Sequence, residues 1–106
     1  GLIFYPPSPR NVTPEQAAAV QQAAPQLHYV GVFVNAEPAE VANLAQSLNL
    51  SAVQLHGDED DRYISALKPL LPEACQIWKA YRIKDHLPAF SALADRILLE
   101  RRRSLR

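Results

Sequence analysis

The sequence predicts an α/β fold built on parallel strands, and three observations carry that prediction. Five short β-branched or aromatic runs recur at roughly 21- to 28-residue intervals. Each interval carries helix-forming chemistry, and strands joined through a helix run parallel. With 106 residues, 48% apolar and 21% charged, the chain suits one domain with a core and is too short for two.

The strand candidates are Leu2 to Tyr5, Tyr29 to Val34, Ala52 to Leu55, Gln76 to Ala80 and Arg96 to Leu99. In the first gap, Thr13-Pro14-Glu15-Gln16 supplies an N-cap, a proline at the first helical position and a glutamine that completes a capping box. The alanine-rich helix it opens runs to Ala24, where Pro25 stops it. In the second gap Val41, Leu44, Ala45 and Leu48 share one face of a helix that starts near Pro38 and stops at Asn49. The third gap opens with Asp58-Glu59-Asp60-Asp61, anions where the helix dipole favours them, and buries Ile64 and Leu67 before Pro69 and Pro72. A fourth, short helix is expected over 85–93, with Pro88 in its first turn.

Five strands and four helices describe part of a (βα)8 TIM barrel, or a small doubly wound sheet of flavodoxin type; periodicity does not separate the two. A full barrel takes at least about 200 residues, so on the barrel reading the remaining strands lie outside these residues. The chain has no methionine and starts on apolar Gly1-Leu2-Ile3-Phe4-Tyr5 without a basic flank, so it reads as an interior piece of something longer, not as a chain opening with a secretory signal.

Charge and cysteine content narrow the function classes. Eleven Lys plus Arg balance eleven Asp plus Glu, which removes a global electrostatic argument for nucleic acid or an acidic membrane. Residues 1–100 hold seven cations against eleven anions, a net of −4, and residues 101–106 form a basic tail. A lone Cys75 excludes an internal disulfide framework and fits the cytoplasm, and no apolar run reaches the roughly 18 residues of a membrane span.

In both architectures chemistry sits at the carboxyl ends of the strands. That rim collects Arg10, Asn35, Gln54, His56, Lys79 and Glu100. Arg10 follows a run of prolines and either clamps a carboxylate or phosphate or is a solvated loop residue. Gln54 and His56 stand two apart on a strand, so they point to the same side, and Gly57 turns the chain beside them; a binding pair is the favoured reading. The acidic run at 58–61 diverges around its helix, so the dipole explains it better than a metal. Cys75 reads as a buried thiol, and His28 and His86 as surface residues or the start of a strand. Trp78 and Tyr81 are core side chains or walls of a pocket for an aromatic ligand, with core favoured. Three glycines make no phosphate loop, no zinc, haem or serine-nucleophile motif is present, and nothing calls for a cofactor.

Several blocks carry a family resemblance: Gly1-Leu2-Ile3-Phe4-Tyr5 with Ser8-Pro9-Arg10, Thr13-Pro14-Glu15-Gln16-Ala17, Val30-Gly31-Val32-Phe33-Val34-Asn35, Val53-Gln54-Leu55-His56-Gly57-Asp58-Glu59 and Ile77-Trp78-Lys79-Ala80. In order and spacing, residues 1 to about 100 resemble phosphoribosylanthranilate isomerase, including the isomerase half of the bifunctional enzyme fused to indole-glycerol-phosphate synthase. The resemblance implies a cytoplasmic TIM-barrel enzyme of tryptophan biosynthesis. It implies the Amadori rearrangement of N-(5′-phosphoribosyl)anthranilate to 1-(o-carboxyphenylamino)-1-deoxyribulose 5-phosphate, without metal or cofactor. Its partner is that small-molecule substrate, not nucleic acid or membrane.

By that resemblance Arg10 matches the arginine that holds the anthranilate carboxylate, and Gln54 and His56 match positions beside the substrate. Glu100 stands where the family places its general-acid Asp, one methylene longer and hence displaced by about 1 Å. The family's catalytic Cys belongs to a strand that would precede Gly1, and Cys75 lies at the wrong end of its strand to replace it. Arg101 to Arg106 replace a Gly-rich segment, and the phosphate-binding loops of the last two strands are missing. The expectation is a partial barrel over 1–100 that is nearly inactive alone. The competing expectation is a non-catalytic half-barrel that self-associates through open sheet edges. A flavodoxin-like binding module ranks last, because it would place an acidic pocket where Arg10 and its prolines stand.

Overall fold

A computed structural model describes residues 2–83 and 90–101. Its elements follow in the order β1 (Leu2–Phe4), α1 (Pro14–Ala23), β2 (Val30–Phe33), α2 (Pro38–Ser47), β3 (Ala52–Leu55), α3 (Asp61–Leu67), a 3-10 turn (Lys68–Leu70), β4 (Gln76–Ile83) and β5 (Arg96–Arg101). The strands form one sheet in the order β1-β2-β3-β4-β5, every neighbouring pair parallel. Strictly sequential order is the winding of a barrel. A doubly wound sheet reverses direction at a switch point, which separates the two architectures that periodicity left open. Among the described residues no helix is long and apolar enough to cross a membrane.

Register shows which side chains share a face. Gly31, Val53 and Ile77 lie in one row and Phe33, Leu55 and Lys79 in the next. On this face the sheet meets the helices: Phe33, Val53, Leu55 and Ile77 are buried with Val41 and Ala45 of α2 and Ile64 and Leu67 of α3. Each large side chain so buried is worth roughly 1.5–3 kcal/mol. Ile3, Val32, Gln54, Trp78 and Arg96 form a row on the opposite face. In a closed barrel that face lines the interior, and alternation along β3 places His56 on the same side as Gln54.

Helix ends follow the chemistry written in the chain. Thr13 Oγ1 accepts from the Gln16 backbone N–H and the Gln16 side chain accepts from the Thr13 N–H, the full capping box. Helix α2 closes in a Schellman motif: Asn49 adopts φ 51°, its N–H donates to Gln46 O, and the Leu50 N–H donates to Ala45 O. Helix α3 is capped by Asp60, whose side chain accepts from the Tyr63 N–H. The acidic run is therefore not all inside the helix as expected: Asp58 and Glu59 precede the cap.

Two expectations change. Strand β4 continues past Ala80 to Ile83 because residues 81–83 pair with residues 99–101. The fourth helix is not formed where it can be seen: residues 90–95 are irregular, and 84–89, with His86 and Pro88, lie outside the described residues. Local polar groups occupy the backbone there. The Ser91 N–H donates to Tyr81 Oη, the Leu93 N–H to Ser91 Oγ, and the Asp95 carboxylate accepts from the Ile77 N–H. The structure thus has three helices among the described residues, not four. The basic tail past Arg101 also lies outside the described residues.

Candidate functional site

The carboxyl ends of β1 to β4 surround a cleft of about 580 Å³, lined by Tyr5, Val34, His56, Asp58, Tyr81 and Arg82 among others. His56 is one of its lining residues. The imidazole Nε2 lies 2.8 Å from Gln54 Oε1 and Nδ1 lies 3.6 Å from Glu100 Oε1. Burial pushes the His56 pKa below its ordinary value; Glu100 and Glu59 oppose that shift, while Lys79 and Arg82 reinforce it. Near neutral pH the ring is uncharged, so its contact with Glu100 is dipolar and not an ion pair. With Nε2–H donating to Gln54, Nδ1 keeps its lone pair toward Glu100.

Of the four site residues expected from sequence, three meet. Gln54 lies one step down β3, and Glu100 brackets the ring from β5. Arg10 does not join them: it is exposed on the loop after β1, its N–H donating to Ser8 Oγ, and of the four only His56 lines the cleft. Tyr81 walls the cleft, whereas Trp78 lies toward the amino end of the sheet, with its Nε1–H donating to Gln76 Oε1 and Arg96 4.4 Å over its ring. His28 is exposed just before β2, 3.3 Å from Ser51 Oγ. Cys75 precedes β4 at its amino end, away from the cleft; burial pushes its thiol up to about 11.

What the sequence reading missed is the support beneath His56. Lys79 sits on the helix side of the sheet, 3% exposed, and its Nζ donates to Gly57 O at 2.7 Å, Leu55 O at 3.3 Å and Glu59 Oε1 at 3.2 Å. The fully buried Glu59 carboxylate also accepts from the Gly57 and Asn35 N–H groups, each at 2.8 Å. Asn35, held at φ 52°, accepts the Asp58 N–H on Oδ1 at 2.7 Å. Removing either member of such a buried pair strands a charge, at about 3–5 kcal/mol. One signal was available: Asp60 is spaced as the N-cap of α3, which leaves Glu59 outside the helix and in need of another explanation than the dipole.

The N-(5′phosphoribosyl)anthranilate isomerase family model matches residues 1–100. The chain is 56% identical over 89 residues to tryptophan biosynthesis protein TrpCF of Salmonella typhi, covering 84% of this chain and 20% of that protein. It is 53% identical over 88 residues to TrpCF of Vibrio cholerae, covering 83% and 19%. Among solved structures, phosphoribosyl anthranilate isomerase from Thermus thermophilus superposes with a TM-score of 0.75 at 32% identity, over 93% of this chain and 49% of that one. The isomerase structure in complex with reduced 1-(o-carboxyphenylamino)-1-deoxyribulose 5-phosphate superposes with a TM-score of 0.69 at 34% identity, over 79% and 42%. The chain thus spans about one fifth of the curated relatives and about half of the solved isomerases. Sequential parallel strands, the polar rim at their carboxyl ends and these matches together place the chain in the phosphoribosylanthranilate isomerase family.

Proposed function

We propose that this chain contributes the anthranilate side of an isomerase site that converts N-(5′-phosphoribosyl)anthranilate to 1-(o-carboxyphenylamino)-1-deoxyribulose 5-phosphate, and that Glu100 is its general acid. The observation that carries the reading is the Gln54–His56–Glu100 chain at the carboxyl rim of a parallel sheet. The reaction protonates the furanose ring oxygen as the C1′–O bond opens, giving an iminium; loss of the C2′ proton then gives the enolamine, which tautomerises to the ketone. Nδ1 of His56 lies 3.6 Å from Glu100 Oε1, so the imidazole and the carboxyl face one another at the rim where the furanose ring oxygen would take its proton. Gln54 fixes the ring tautomer.

Cys75 is unsuited to be the base, being buried at the amino end of β4 with a raised pKa. Residues 1–106 taken alone therefore hold one of two proton-transfer groups, and their turnover is expected about 10²–10⁴-fold below that of a complete site. Arg10, on the loop after β1, would hold the substrate carboxylate by a charge-assisted contact. The test is Glu100→Gln in the intact protein: kcat falls by about 10²–10⁴, and a loss under threefold overturns the assignment. Self-association is a second reading, favoured by the edge positions of β1 and β5. Sedimentation of residues 1–106 decides it: an inactive dimer supports it and a monomer removes it.

A further inference from the structure

The buried Glu59–Lys79 pair plays no part in the chemistry above, yet it converges on the one turn that carries His56. Three backbone groups of residues 55–57 terminate on it: Leu55 O and Gly57 O accept from Lys79, and the Gly57 N–H donates to Glu59. A fourth, the Asn35 N–H, brings in the β2–α2 loop. Asn35 in turn accepts the Asp58 N–H. His56 therefore lies between a strand pairing, its own N–H donating to Phe33 O at 2.9 Å, and a turn whose Gly57 N–H, Gly57 O and Asp58 N–H are all hydrogen-bonded.

We propose that Glu59 and Lys79 are positioning residues for His56: by clamping the turn after β3 to the β2–α2 loop from beneath, they hold the imidazole between Gln54 and Glu100 at the mouth of the cleft. A salt bridge kept only for stability has no need to end on the backbone of one loop. Here three of its four backbone hydrogen bonds, counting both partners, are to the loops that frame the cleft, and the fourth is to Leu55 O, at the last residue of β3. Lys79 also lies 5.4 Å from the centre of the Tyr81 ring, a wall of the cleft. Among the described residues, the charged groups that act on the imidazole are Glu100 of β5, Lys79 and Arg82 of β4 and Glu59 of the loop before α3. The pair therefore acts on His56 through geometry and through field. This deepens the proposed function, whose acid and tautomer arrangement depends on that ring position.

The test compares the intact protein with Glu59→Gln, Lys79→Met and the double variant, which removes both charges and remains interpretable where a single variant fails to fold. Amide hydrogen exchange at Asn35, Gly57 and Asp58 and the NMR titration of His56 are read under conditions where each protein is folded. The double variant is expected to exchange at those three amides about tenfold faster, with the β2 amides unchanged. Lys79→Met raises the His56 pKa and Glu59→Gln lowers it. In the isomerase assay kcat falls about tenfold or more while KM stays within threefold. A lower melting temperature with unchanged amide exchange and unchanged His56 titration shows a pair that only stabilises, and overturns the proposal. Absence of turnover in the unsubstituted protein would strike the isomerase reading instead, and the titration and exchange would still decide this one.

Discussion

Substituting Gly57 by alanine tests the turn after β3 most severely. An added Cβ would stand 2.5 Å from Asn35 Oδ1, 2.6 Å from its Cγ and 2.8 Å from its Nδ2, all closer than nonbonded contact allows. Because the obstacle is a short side chain and not backbone, Asn35 can rotate away, so the cost falls toward the low end of the roughly 1–3 kcal/mol of overpacking. Rotation also breaks the 2.7 Å bond from the Asp58 N–H, worth about 1 kcal/mol net. Gly57→Ala is therefore expected to destabilise by about 2–3 kcal/mol in urea unfolding with an unchanged m value. In an Asn35→Gly background, where the obstacle is gone and glycine suits φ 52°, the same substitution should cost under about 1 kcal/mol. Equal costs in both backgrounds would refute the packing argument.

Other consequences concern protons and reactivity. Since the His56 pKa is below its ordinary value in the fold, the unfolded chain binds a proton that the native one does not as pH drops below about 6.5. Stability should therefore fall with acid from that point until the native pKa is passed, and His56→Asn should make this limb shallower; an identical limb in both proteins would contradict it. With its thiol pushed up to about 11 from an ordinary 9.0, Cys75 carries about 100-fold less thiolate at pH 8 and, allowing for the greater nucleophilicity of a more basic thiolate, should react with a disulfide reagent at least about tenfold more slowly than free cysteine. Labelling at the free rate would show an accessible, unperturbed thiol.

Much of the fold was legible because its signals are local. The Thr13 capping box, Pro38 at the first turn of α2 and Asn49 as its stop each act within a few residues, and each stands where its chemistry predicts. The last three residues of β4 were invisible locally because only their pairing with residues 99–101 of β5 makes Tyr81-Arg82-Ile83 a strand. Of the helix expected over 85–93, the described residues 90–93 are irregular, and the hydrogen bonds of Ser91 with Tyr81 and Leu93 are what replace it there. At the site, Gln54 and His56 were readable from period-two alternation. Lys79 was placed on the rim without its face, and only the register Leu55↔Lys79 reveals that it points beneath the turn toward Glu59. The proline run leaves Arg10 open between a clamp and a solvated loop residue, only the resemblance gives it the carboxylate, and alternation has nothing to say about a proline-rich loop.

The central claim is that ligand recognition occurs where β3 and β5 end, around His56. Its most direct test is chemical-shift mapping of the intact protein titrated with reduced 1-(o-carboxyphenylamino)-1-deoxyribulose 5-phosphate. Saturable shifts are expected at the His56 ring, the Gln54 side-chain amide and the Glu100 amide, with the His28 ring at the opposite end of the sheet unmoved. Shifts confined to His28, Asn49 and Ser51, at the amino end of the sheet, would refute that placement.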